Sequence, residues 1–93
     1  MRLIIIYNIK DEKKRRMTGR LLLNYGEKIK NGVFECSLNY NYYKKLGAGL
    51  NAIGANLKGE EYIRVYPLCQ DCNKKIKSYG KARSAAEPLY YLA

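Results

Sequence analysis

The sequence predicts a small α+β sandwich, laid out as strand, helix, strand or hairpin, helix, strand. Three observations predict it. Apolar residues recur at a spacing of two in some segments and of three to four in others, the periods of strand and helix. Turn formers separate those segments, at Gly26, Asn31-Gly32, Lys58-Gly59 and Pro67. The length, 93 residues with 47% hydrophobic, fits one domain with a modest core, so a partner subunit is a natural source of further burial.

Arg2 to Tyr7 is apolar at both parities, as a central strand covered on both faces requires. Asp11 to Tyr25 predicts the first helix. Asp11 is placed to cap it, and Glu12 stands where the helix dipole favours an anion. Met17, Leu21 and Tyr25 form an i, i+4, i+8 stripe widened by Leu22, and Gly26 follows as a left-handed C-cap. From Lys28 to Asn39, Phe34, Cys36 and Leu38 alternate with Glu35, Ser37 and Asn39. Asn31-Gly32 interrupts this segment, either as a hairpin turn or as a bulge in one long strand.

Tyr42 to Leu57 predicts the second helix, with Tyr43, Leu46, Leu50, Ile53 and Leu57 on one stripe. Gly47, Gly49 and Gly54 cost it about 1 kcal/mol each relative to Ala, so packing or close approach must justify them. Tyr62 to Tyr66 alternates as a strand, and Pro67 ends it or marks its edge. Cys69 to Gly80 reads equally as a turn plus a strand or as a short helix. Residues 81–87 read as a link. Pro88-Leu89-Tyr90-Tyr91-Leu92 is an apolar tail expected to bury on a sheet edge, its own or a partner's. The order β-α-β-β-α-β is that of a ferredoxin-like fold, here over residues 1–80, with 81–93 as a C-terminal linker and partner-binding strand. This fold hosts many functions, so function must rest on side chains.

Charge points to a polyanionic partner. Eighteen basic against eight acidic residues give +10. Lys10–Lys30 contributes eight basic and three acidic residues, or +5, and Lys74–Arg83 five basic and no acidic, again +5. The remainder cancels. Lys13, Lys14, Arg15, Arg16, Arg20, Lys28, Lys74, Lys75 and Lys77 are therefore the candidate phosphate contacts. With no Trp and one Phe, the chain lacks the bulky face of a membrane-surface helix, and it has no run of about 18 apolar residues to span a bilayer. The first apolar run is too short for a secretory leader and no small-residue cleavage site follows it, so a cytoplasmic protein is expected.

The absence of His excludes a histidine general base, a Ser-His-Asp triad and histidine-ligated zinc. Cys69 and Cys72 have metal-knuckle spacing, but zinc needs four ligands and Cys36 is the only other thiol. They read as small apolar residues at a turn.

Several motifs carry a resemblance. Tyr7-Asn8-Ile9 ends the first strand and a charged turn leads into Lys14-Arg15-Arg16. Then come Tyr25-Gly26-Glu27-Lys28, Asn31-Gly32-Val33-Phe34-Glu35, Ile63 to Cys69, Cys72 and Gly80. In this order the residues between positions 2 and 81 resemble CRISPR-associated protein two, a small protein of spacer acquisition. The resemblance implies a homodimer through stacked sheets, with a C-terminal strand swapped onto the partner and Phe34, Leu89, Tyr90, Tyr91 and Leu92 at the interface. It implies partnership with the CRISPR integrase, CRISPR-associated protein one. There the dimer bridges two integrase dimers and holds duplex DNA of the incoming spacer, in the prokaryotic cytoplasm.

Some members of that family are metal-dependent endonucleases on RNA or DNA, and the family ends its first strand with an Asp that holds Mg²⁺ at the dimer axis. Here that position is Asn8. A pair of Asn offers a hard dication only dipoles, so lowering the pKa of a bound water becomes much harder. The helix cap accounts for Asp11 and Glu12, the nearest acids in sequence. The resemblance leaves Mg²⁺ at the dimer axis as the one candidate cofactor, and the chain reads as a duplex-binding scaffold. The alternatives are the metal-dependent endonuclease and, apart from the resemblance, a ferredoxin-like RNA-binding module with Tyr7 and Tyr66 stacking on bases. The aromatic-rich motif of such modules is missing.

Overall fold

The computed structural model describes residues 1–68 and 77–79. The elements are β1 (Arg2–Asn8), α1 (Glu12–Leu23), β2 (Gly26–Lys30), β3 (Val33–Ser37), α2 (Tyr40–Gly54), β4 (Tyr62–Pro67) and β5 (Lys77–Tyr79). The strands form one sheet in the order β2-β3-β1-β4-β5, antiparallel at every junction. Each helix connects strands that are not neighbours, which is the ferredoxin-like split β-α-β arrangement. β1 lies in the middle, as its two-sided apolar pattern requires. Leu3 and Ile5 pack with Phe34, Cys36, Ile63, Val65 and the helices on one face, while Ile4 joins Val33 and Tyr66 in a buried cluster on the other.

α1 starts as expected: Asp11 accepts a hydrogen bond from the Lys14 amide at 2.9 Å. Leu21, Leu22 and Tyr25 of its expected stripe pack on the core, whereas Met17 is 49% exposed and Thr18 is buried in its place. Thr18 is tolerated there because its hydroxyl donates to the Lys14 carbonyl at 2.9 Å. Asn24, in right-handed helical conformation, ends the helix, and Gly26 opens β2 rather than capping α1. α2 begins two residues early, with Asn39 accepting from the Tyr42 amide, and ends at Gly54. Its expected stripe is buried through Leu46, Leu50 and Ile53. A methyl group on Gly54 would stand 2.9 Å from Tyr79 Cβ, so close approach justifies that glycine, whereas Gly47 has no such neighbour.

Asn31-Gly32 is a hairpin turn between β2 and β3, and the register also slips between Lys28 and Lys30. The dipeptide thus closes a hairpin whose first arm is itself irregular. Gly32 has φ +80°, where a side chain would be strained and a Cβ would meet the Tyr7 carbonyl oxygen at 2.8 Å. Of the ambiguous stretch after Pro67, Lys77–Tyr79 is a strand beside β4. Phe34 requires correction as an interface residue. It is 1% exposed and stacks on Tyr7 inside the protomer core, so it has no surface to give a partner. The cysteine pair Cys69 and Cys72, the basic residues Lys74 and Lys75, and the tail Leu89, Tyr90, Tyr91 and Leu92 lie outside the described residues.

Candidate nucleic-acid interface

Three local features meet at the C-terminal end of β1. The Tyr7 amide donates to the Gly32 carbonyl at 2.9 Å, which ties the hairpin turn to the strand end. Asn8 follows, exposed, at the last position of β1. α1 then turns back along the sheet with Arg15 and Arg16 in its first turns. Between them lies a cleft of about 620 Å³ lined by Tyr7, Asn8, Arg15, Arg16, Lys28 and the Asn31-Gly32 turn. Among the described residues, three side chains in its wall are cationic and none is acidic. Such a wall attracts phosphate, and two guanidinium forks suit its oxygens.

The basic residues of α1 divide by helical phase. Lys13, Arg16 and Arg20 recur at i, i+3, i+7 and are all exposed, so they form a stripe leading away from the cleft. Lys14 belongs to the opposite face, four residues before Thr18 and eight before Leu22. Its ammonium donates to the Asn56 carbonyl at 2.7 Å and to Glu61 Oε1 at 3.1 Å. Lys14 is thus a structural cation, not a phosphate contact. Of the second basic block only Lys77 lies among the described residues, in β5 at the far edge of the sheet from the β2–β3 hairpin.

Glu61 is the polar centre that charge summation overlooks. Its Oε2 accepts from the Lys10 and Asp11 amides, both at 2.9 Å, and its Oε1 from the Lys58 amide at 3.0 Å. The side chain is only 6% exposed. Hydrogen bonds from the Asp11 and Lys58 amides hold its carboxyl down at about 2, against the opposing effect of burial, with smaller help from Lys14 and the Lys10 amide. It ties the entry of α1 to the entry of β4. A second feature hidden by the summed charge lies at the start of α2. There the Lys44 and Lys45 ammonium groups sit 5.3 and 5.5 Å from the rings of the exposed Tyr40 and Tyr42.

The cleft does not suit a divalent metal. Mg²⁺ wants anionic oxygen and takes one or two carboxylates. Here the donor at the strand end is the neutral Asn8, flanked by Arg15, Arg16 and Lys28. Among the described residues no group of three His, Cys, Asp or Glu side chains stands close enough to hold an ion. Base stacking fares no better. Phe34 covers one face of the Tyr7 ring on the helix side, and Tyr66 is 1% exposed, so the two rings do not form an open pair for nucleobases. Burial raises the Tyr7 hydroxyl above its ordinary value, offset in part by the nearby Arg15 guanidinium. Burial also pushes the Cys36 thiol up to about 11, so that cysteine is inert. No described helix is long and apolar enough to cross a membrane.

The fold and cleft define a small ferredoxin-like protein with a cationic, carboxylate-poor strand end. The chain belongs to the Cas2 family of CRISPR-associated proteins: the family model described as CRISPR associated protein Cas2 matches residues 1–76. A relative from Chloroflexus aurantiacus, named CRISPR-associated endoribonuclease Cas2 1, is 32% identical over 83% of this chain and 82% of its own. CRISPR-associated endoribonuclease Cas2 2 of Methanospirillum hungatei is 32% identical over 87% of this chain and 88% of its own. Among solved structures, a hypothetical protein from Thermus thermophilus superposes with a TM-score of 0.61 at 28% identity, over 74% of this chain and 82% of that one. Cas2 of Streptococcus pyogenes shares the fold, with a TM-score of 0.60 at 24% identity over 83% and 96% of the two chains.

Proposed function

We propose that this protein is a non-catalytic, duplex-DNA-binding homodimer of the CRISPR adaptation machinery, bridging integrase dimers in the prokaryotic cytoplasm. One observation carries the binding reading: the cleft at the end of β1 gathers Arg15, Arg16 and Lys28 with no acidic side chain among the described residues of its wall. Family membership supports the setting in spacer acquisition. Residues 81–93 act as linker and partner-binding strand, with Leu89, Tyr90, Tyr91 and Leu92 as the apolar contact. Light scattering tests the assembly, and a monodisperse species at the protomer mass of 10.7 kDa contradicts it.

Binding is tested with a labelled duplex across a salt series. Each phosphate neutralised contributes a slope of about −0.9 in log affinity against log salt. Alanine at both Arg15 and Arg16 flattens that slope and weakens all sequences alike, because phosphates carry no base identity. Binding equal to the parent's sinks the assignment. A second reading, a metal-dependent endonuclease, is favoured by the relatives' names, which specify an endoribonuclease. It ranks second because the chemistry requires an anionic ligand at the position of Asn8.

A further inference from the structure

We infer that the groove between α2 and β5 docks an acidic peptide segment of another protein, which sets an apolar side chain beside Gly47 and its carboxylates on Lys44 and Lys45. The groove has a volume of about 420 Å³. Leu3, Leu50 and Val65 lie at its base, Lys44 and Gly47 along its α2 wall, and Tyr79 of β5 opposite. It is separate from the cationic cleft, because Leu3 and Asn8 stand near opposite ends of β1, roughly 17 Å apart at the rise of a strand. Docking there is therefore independent of duplex binding.

Two observations select the occupant. The first is Gly47. A glycine inside a helix costs about 1 kcal/mol relative to Ala. Gly49 and Gly54 each have a reason within the protomer, since a Cβ there would stand 2.9 Å from Leu21 and from Tyr79 respectively. At Gly47 no atom of the described residues lies within 4 Å. The missing side chain leaves the helix backbone open to close approach from outside. The second is charge. α2 contains Lys44 and Lys45 and no acidic residue. Among the described residues neither lysine has a carboxylate partner. Their ammonium groups rest 5.3 and 5.5 Å from the rings of the exposed Tyr40 and Tyr42, so a partner carboxylate reaches them without displacing an ion pair.

An apolar base under a cationic rim fits an apolar side chain flanked by carboxylates. A nucleobase would bury its hydrogen-bonding edge against Leu3, Leu50 and Val65 without partners, whereas an aliphatic or aromatic side chain loses nothing there. A second copy would bring its own net charge of +10 to a rim that is already cationic.

The test is fluorescence anisotropy with a labelled peptide that carries a Leu-Phe pair flanked by two glutamates on each side. Control peptides replace the glutamates by lysines or the Leu-Phe pair by serines. The parent is expected to prefer the acidic apolar peptide to each control by about tenfold. Gly47→Leu, which fills the groove, is expected to lose about tenfold in affinity while its Tm stays at or above the parent's, since leucine is the better helix former. Lys44→Ala/Lys45→Ala is expected to lose a similar factor and to flatten the salt dependence of peptide binding. Equal affinity of the parent for the three peptides, or full affinity retained by either variant, overturns the docking site. So does a changed assembly mass of Gly47→Leu in light scattering, which assigns the groove to a second copy. A loss of single-stranded oligonucleotide binding by Gly47→Leu assigns it to nucleic acid and overturns it equally.

Discussion

Lys14 and Arg15 are neighbours in the chain with opposite tasks. Lys14 turns inward and joins Glu61, a buried carboxylate saturated by three backbone amides and one ammonium. Arg15 turns to the cleft, where three cations meet no carboxylate among the described residues. The first arrangement is closed: every charge there has a partner and the product is rigidity. The second is open: its charges await an anion from outside. The contrast shows that net charge per segment says little about function until helical phase has sorted the cations into those that brace the fold and those that face a ligand.

The largest expected effect falls on the closed side. Glu61→Gln leaves several donors and an ammonium without their anion, at a cost of about 3 kcal/mol, or roughly 15 °C in Tm. The pH dependence has a definite sign. The Glu61 pKa is lowered on folding from an ordinary 4.5 to about 2, so its contribution is present above 4.5 and lost as pH falls toward 2. Acid unfolding of the parent should therefore include a limb in that window that Glu61→Gln lacks. An unchanged acid limb in calorimetry would show that the carboxylate is not held as described.

Next comes the open side. Arg15→Ala/Arg16→Ala should weaken duplex binding roughly thirtyfold, because two charge-assisted hydrogen bonds to phosphate disappear at a partly exposed site. It should leave Tm nearly unchanged. Lys14→Ala should do the reverse, lowering Tm by about 5 °C and leaving the salt slope of binding intact, as removal of a mostly buried ion-pair partner requires. If Lys14→Ala flattens the slope as much as the arginine variant does, the division between the two regions is wrong. The smallest effect is expected from Asn8→Asp without ligand. In the proposed homodimer the two carboxylates face each other and repel, so the metal-free variant should melt about 2 °C lower, and Mn²⁺ should restore it by binding the folded state. The parent should show no such recovery.

Most of the fold is legible in the sequence because strand and helix periods differ and the turn residues are strong. β1 declares its central place through Leu3 to Ile6, and Asp11 declares the start of α1. What is not legible has physical reasons. The start of the α1 stripe is one such place, because an apolar Met17 reads as core where the polar Thr18 is the buried residue. The same offset hides the inward turn of Lys14. Glu61 has no local sign, because its partners come from Lys10, Asp11 and Lys14, about fifty residues earlier. Phe34 is easily misplaced because alternation tells which residues share a face, not which of the two faces carries the helices. The cleft is half legible: the block Arg15-Arg16 is visible, while its meeting with Lys28 and Asn8 depends on the hairpin folding back to the end of β1.

The central claim is that this strand end binds phosphate without metal and performs no cleavage. The most direct test incubates the purified protein with labelled RNA and duplex DNA, in excess chelator and in Mg²⁺ or Mn²⁺, and reads binding and cleavage in the same samples. The predicted result is duplex binding undiminished by chelator and intact substrate in every sample. Binding or cleavage that appears only with Mg²⁺ or Mn²⁺, and disappears when chelator is added, would contradict it.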